Sequence, residues 1–182
     1  LPLAPDLAAA VTAAALLDPR GGLDDLRQGV LRCERDDILK ADPLRILRAF
    51  RLAAQLRFSI EAGTLRRLRG LACRVRRSAA QRQAAELTLL MAEPGCSAEL
   101  SRMDEAGVLT ALFDDLEASR QCATCYYGSG GVLRHSLEGA ARLDLLLEDP
   151  RRAFGKTAAP LLESLGERLR PGQSWRAAVM LA

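Results

Sequence analysis

Aromatic residues are scarce in this sequence, with two Tyr, four Phe and one Trp among 182 residues, and Val and Ile are also few. β-Sandwiches and barrels draw on those side chains. Their shortage, set against abundant Leu and Ala, points to helices packed on helices. No apolar run approaches the ~20 residues that span a bilayer, so no membrane partner is expected. The opening Leu1-Pro2-Leu3-Ala4-Pro5 has no basic stretch ahead of an apolar one and is not a secretory leader. A reducing, cytoplasmic setting is therefore expected, with the five Cys (33, 73, 96, 122, 125) as free thiols. A lone Cys122-x-x-Cys125 pair cannot close a structural zinc site. The chain also lacks an initiator Met, and Trp175 to Ala182 runs within an apolar helical pattern without a cap. It is thus expected to be a piece of a longer protein.

Lysine is nearly absent, since 24 of the 26 bases are Arg. Their placement is uneven. Residues 43–82 hold eleven Arg and one acid (Glu61), a net +10, whereas residues 83–130 hold two Arg and eight acids, a net −6. A segregated basic stretch is the electrostatic footprint of a polyanion partner.

Local signals divide the chain into short helices. Asp18-Pro19-Arg20-Gly21-Gly22 marks a turn, and Gly29 closes one or two helical turns before it. Asp42 and Pro43 form a capped start for a helix reaching about Leu56, with Leu47, Phe50 and Ala54 on one face and Arg48, Arg51 and Gln55 on the other. Thr64 and Ser78 are read as caps of the next two helices, and Gly107 ends a fourth. The 121–131 loop precedes an amphipathic helix from Val132 to Leu147. The expected fold is an all-α helical array, with at most one short β-hairpin near the N-terminus, drawn from residues 1–17 and Val30 to Cys33. Three parts are expected: residues 1–35, 36–120 and 121–182.

Asp42 and Arg45 carry chemistry suited to a nucleobase edge. A carboxylate accepts from an exocyclic amine and a guanidinium donates to a ring nitrogen or carbonyl, so the pair can accept A and C and reject G and U. On those two residues alone, a helix cap with a surface ion pair is the favoured explanation, because Asp-Pro helix starts are common. The wider pattern adds weight. Leu17-Asp18-Pro19-x-Gly21-Gly22-Leu23-x-Asp25-Leu26-x-x-Gly29-x-x-Arg32 precedes Asp42-Pro43-Leu44-Arg45-Ile46-Leu47-Arg48-Ala49-x-Arg51-x-Ala53. Leu56-x-Phe58-x-Ile60-Glu61-x-x-Thr64 and Ser78-x-x-x-Arg82-x-x-x-Glu86-Leu87 follow. These four ordered blocks resemble the class II tRNA nucleotidyltransferase and bacterial poly(A) polymerase family.

That resemblance implies a head, neck, body and tail, in which the head holds two carboxylates that bind magnesium and transfer a nucleotide to an RNA 3′ end. It implies that Asp42 and Arg45 template the incoming base and that Arg48 contacts its phosphate or sugar. Asp25 and Arg32 match the flexible linking motif, and Arg82 and Glu86 support the template helix. The expected partners are ATP and CTP as nucleoside triphosphate substrates and an RNA 3′ end, tRNA foremost. Arg66, Arg67, Arg69, Arg74, Arg76 and Arg77 are expected to face RNA backbone. CCA addition, A-only addition and poly(A) synthesis share these motifs.

Two positions depart from the family pattern: Ala41 and Gln81 stand where Glu is usual. The Asp-x-Asp of the head is absent, so the chain is expected to be inactive alone and to hold no metal. Gly131 to Glu138, with His135, resembles the opening helix of an HD-type phosphohydrolase. The alternatives are thus a non-catalytic helical RNA-binding module or the remnant of such a hydrolase.

Overall fold

The computed structural model describes residues 17–181, so nearly all of the 1–17 stretch from which a strand is expected lies outside them. The element order is α1 (Gly22–Gln28), β1 (Val30–Leu31), α2 (Asp36–Ala41), α3 (Leu44–Leu56), β2 (Ser59–Ile60) and α4 (Ala62–Leu71). A 3₁₀ segment, Ala72–Arg77, leads to α5 (Ala80–Met91), α6 (Cys96–Glu105), α7 (Val108–Leu112), α8 (Asp115–Gln121) and α9 (Thr124–Tyr127). Then come α10 (Gly131–Glu148), α11 (Pro150–Phe154), a 3₁₀ turn at Gly155–Thr157, α12 (Ala158–Arg168) and α13 (Trp175–Met180).

The all-α reading holds. Among the described residues the β structure is one parallel pair, Val30 beside Ser59 and Leu31 beside Ile60; the other strand expected for a hairpin falls within residues 1–17, almost wholly outside them. Two helices, α2 and α3, lie between the strands and bring the chain back in the same direction, as a parallel crossover requires.

Helix α3 is the axis of the fold. Leu44, Ile46, Leu47, Phe50 and Ala53 are buried along it, each at 2% exposure or less. It packs against α5 and α6. Leu68, Val75, Leu90, Leu100, Met103 and Val108 complete the core around Phe50. Each such side chain contributes roughly 1.5–3 kcal/mol by leaving water. Helix α3 stops at Arg57, whose φ of +56° is left-handed and whose N–H returns to the helix carbonyls.

Two caps differ from expectation. Glu61, rather than Thr64, caps α4: its carboxylate accepts from the Thr64 N–H at 2.6 Å. Thr64 is buried, and its hydroxyl accepts from the Cys33 N–H at 2.8 Å, tying α4 to the segment after β1. Ser78 does not cap α5; its hydroxyl is buried without a partner. The Gln83 amide spans the corner instead, donating to the carbonyls of Val75 and Ser78 at 2.9 and 2.8 Å.

Beyond residue 121 the chain turns back onto the body. Helix α9 interrupts the expected loop, and α10 packs against both α8 and α6. Gly131 is required at the junction. Its φ is +53°, and a Cβ there would stand 2.5 Å from the Cys122 carbonyl oxygen. Further on, the buried Asp144 accepts from the Gly95 and Ser97 N–H groups and pairs with the buried Arg176. That one carboxylate joins α6, α10 and α13.

Candidate nucleotide and RNA site

Asp42 sits at the corner between α2 and α3. Its N–H donates to the Ile38 carbonyl at 3.4 Å, closing α2. Its Oδ1 accepts from the Leu44 N–H at 3.3 Å, which makes it the cap the sequence suggests. Its Oδ2 meets Arg82 Nη2 at 3.4 Å, a long contact across to α5. Asp42 does not pair with Arg45. Arg45 is exposed and reaches back to the Ile38 carbonyl at 3.4 Å. Capping therefore uses one carboxylate oxygen, and the other is held only loosely.

One turn further, the arginines converge on a single buried acid. Glu86, 7% exposed, accepts from Arg48 Nε and Nη2 at 3.0 and 2.8 Å on Oε1 and from Arg51 Nε at 2.6 Å on Oε2. Arg51 also donates to Gln55 at 2.5 Å. Burial opposes ionisation of Glu86 and is the largest single influence. The hydrogen bonds and charges of Arg51 and Arg48 together outweigh it and hold the carboxyl below the usual range. Arg51 shares a helix face with Arg48 and Gln55, but its role is invisible to local spacing because its partner lies 35 residues away in the chain.

The segment from Arg20 to Glu34 meets α2, α3 and Leu68 of α4 across a cleft of about 410 Å³. Arg20, Asp25, Arg32, Arg45 and Arg48 line it above a floor that includes Leu31, Ala49 and Leu52. Asp25 and Arg32 are joined through two guanidinium nitrogens at 3.0 and 3.1 Å, which raises the Arg32 pKa further. Four arginines thus face two acids, Asp25 and Glu34, over an apolar base, and Arg20 and Arg45 are the two without a carboxylate partner among the described residues, a surface suited to a polyphosphate beside a base. Asp42 lies outside its lining, on the Arg82 side of the helix.

The Arg-rich stretch serves two purposes. Arg67 donates to Asp36 at 2.7 Å and so braces α2 against α4. Arg76 pairs with Asp114 and donates to the Ala111 carbonyl at 2.6 Å, clamping the 3₁₀ segment onto the end of α7. These two are structural fasteners as well as surface charges. Among the described residues Arg66, Arg69, Arg74 and Arg77 have no carboxylate partner, and Arg66, Arg69 and Arg77 are exposed.

The adjacent acids Asp24-Asp25 and Asp36-Asp37 are all engaged. Asp24 holds Arg27, Asp25 holds Arg32, Asp36 holds Arg67 and Lys40, and Asp37 holds Arg35. Among the described residues no group of three His, Cys, Asp or Glu could hold a metal ion. The described carboxylates do not converge as a magnesium centre would require. His135 lies on α10, exposed, with its ring stacked on Tyr127 at 4.4 Å. No helix among the described residues is long and apolar enough to cross a membrane.

Comparison with known proteins agrees with this geometry. Residues 25–112 match the family model for the third domain of the uridylyltransferase GlnD. The chain is 36% identical over 169 residues to the CC-adding tRNA nucleotidyltransferase of Geobacter sulfurreducens, covering 92% of this chain and 36% of that protein. It is 29% identical over 157 residues to the A-adding tRNA nucleotidyltransferase of Deinococcus radiodurans, covering 84% and 36%. Among solved structures, the Thermotoga maritima CCA-adding enzyme complexed with tRNA superposes with a TM-score of 0.52 at 23% identity, covering 90% of this chain and 49% of that one. At that identity the likeness bears on the fold alone. These matches make the chain similar to a portion of the class II CCA-adding tRNA nucleotidyltransferases. The chain spans about a third of the length of these two curated relatives.

Proposed function

We propose that this chain is the nucleotide-selecting and RNA-binding portion of a cytoplasmic nucleotidyltransferase that adds C or A residues to the 3′ end of tRNA, with ATP and CTP as substrates. The observation that carries this reading is the cleft in which Arg45 and Arg48 of the template helix face Asp25 and Arg32 of the linking block. Two motifs separated in sequence thereby line one phosphate-sized, positively charged space.

Arg45 keeps most of its guanidinium free to donate to a ring nitrogen. Asp42 accepts an exocyclic amine on Oδ2 once the 3.4 Å contact with Arg82 lengthens or opens. Glu86 fixes Arg48 at the cleft wall, so that charge is in place before the nucleotide arrives. Arg66, Arg69, Arg74 and Arg77 offer charge to the RNA backbone. In the family, magnesium supplies charge stabilisation for the transferring nucleotidyl group. The described residues do not form that centre, so in this reading they serve binding and selection, and transfer belongs to the head.

Equilibrium titration of the chain with ATP, CTP, GTP and UTP tests the reading. ATP and CTP should bind at least several-fold more tightly than GTP and UTP, and equal affinity for all four would contradict it. RNA affinity should fall steeply between about 50 and 200 mM salt.

A further inference from the structure

At the far end of α3, about 20 Å along the helix from Asp42, lies a second and larger cleft of about 960 Å³. That volume is at the upper end of what ligand sites occupy, about 300–1,000 Å³. Its walls come from four separate places: the end of α3 with Arg57, the turn before α6, the end of α10 with Glu148, and the start of α13 with Trp175. Glu99 and Arg102 of α6 complete the lining.

Glu99 is the unusual group. It is 5% exposed, and its Oε1 accepts from Arg102 Nη1 at 2.6 Å. Its Oε2 is buried and has no hydrogen-bond partner. A buried carboxylate oxygen without a donor is costly and calls for a partner that a water, an ion or a ligand can supply. Burial pushes the Glu99 carboxyl up, against the smaller effect of Arg102. By contrast, the neighbouring Arg176 is occupied by Asp144 and the Glu93 carbonyl, and so forms wall rather than ligand site. Arg57 is exposed at the cleft and has no carboxylate partner among the described residues.

The required ligand thus carries an N–H donor for Glu99 Oε2, a flat apolar body for a lining that includes Trp175, and an anion for Arg57. We propose that this cleft is a second nucleotide site, separate from the base-selecting one, which takes a single nucleotide bearing an exocyclic amine. The nucleotide is either free or an unpaired residue of a bound RNA. Adenine, cytosine and guanine carry that amine, and uracil does not. Arg102 fixes which oxygen is free: it holds Oε1, so Oε2 is left as the acceptor. In Glu99→Gln the amide oxygen stays with Arg102 and the NH₂ takes the place of Oε2. An acceptor becomes a donor with no change of shape.

Calorimetric titration of the whole chain with AMP, UMP, adenosine and a short single-stranded oligoadenylate tests this, with Asp42→Asn as background to silence discrimination at the first site. AMP is expected to bind at least tenfold more tightly than UMP. Glu99→Gln should remove that preference, and Arg57→Ala should weaken AMP without weakening adenosine. Tighter binding of the oligoadenylate than of AMP assigns the site to RNA, and the reverse assigns it to free nucleotide. Absence of AMP and oligoadenylate binding, or AMP binding indifferent to both Glu99→Gln and Arg57→Ala, would overturn the proposal. Because both variants lie at the far end of α3, that failure would leave selection at Asp42 standing.

Discussion

Glu86 and Glu99 are hidden to nearly the same degree, 7% and 5% exposed, in the two regions that flank α3. Their carboxylates nevertheless respond in opposite ways. Glu86 meets two guanidinium groups, and its pKa is lowered; Glu99 meets one, and its pKa is raised. Burial opposes ionisation in both. The difference is that a second arginine turns a costly buried charge into the pin that holds α3 against α5. A third buried acid, Asp144, completes the series, with Arg176 and two backbone N–H groups on its oxygens. Full pairing marks the joints of the fold, and incomplete pairing marks the cleft.

The comparison breaks most visibly at Asp144. Asp144→Ala strands the buried Arg176 guanidinium and two N–H groups, and should cost about 3–5 kcal/mol in denaturant unfolding. A loss under about 1 kcal/mol would show that α10 and α13 are not fastened there. Glu86→Gln comes next. It keeps the shape but removes the charge facing Arg48 and Arg51, and should cost about 1.5–3 kcal/mol. Nucleotide affinity should fall with it, because Arg48 is no longer held at the cleft wall.

Glu99→Gln should change stability by less than about 1 kcal/mol at neutral pH, since it removes a poorly paired charge. The pH dependence separates the two glutamates. Glu86 titrates below its unfolded value near 4.5, so its stabilisation is present above that pH and is lost as the pH falls through the lower folded value. Glu99 titrates above 4.5 when folded, so its contribution is present below that pH and is lost as the pH rises through the higher folded value. Unfolding measured from pH 3 to 8 should therefore show Glu86→Gln removing part of the acid-side loss. Glu99→Gln should instead flatten the decline above pH 4.5. Identical profiles for the two variants would remove the contrast.

The sequence made α3 legible because its signals are local: Asp42 and Pro43 start it, and the apolar face at Leu47 and Phe50 repeats within the helix. The four motif blocks likewise needed only order and spacing. What escaped was anything set by distant pairing. Asp42 was weighed against Arg45, three residues away, yet its carboxylate turns to Arg82, forty residues away. Thr64 looked like a cap because its hydroxyl can bond the backbone locally, but burial directed it to Cys33. The parallel pairing of Val30 with Ser59 depends on how α2 and α3 fold back, which two-residue strands do not announce. Glu99 reads as an ordinary helix acid until α10 and α13 close around it.

The smallest effect on stability tests the central claim most directly. Asp42→Asn keeps a competent helix cap, so the unfolding free energy should change by no more than about 0.5 kcal/mol. Asparagine offers both a donor and an acceptor, so the preference for ATP and CTP over GTP and UTP should fall by roughly tenfold, the worth of about one good base contact. Titrating the wild type and Asp42→Asn with all four nucleoside triphosphates reads this out. Loss of discrimination at unchanged stability is the predicted result. Discrimination equal to that of the wild type would make Asp42 a helix cap and nothing more.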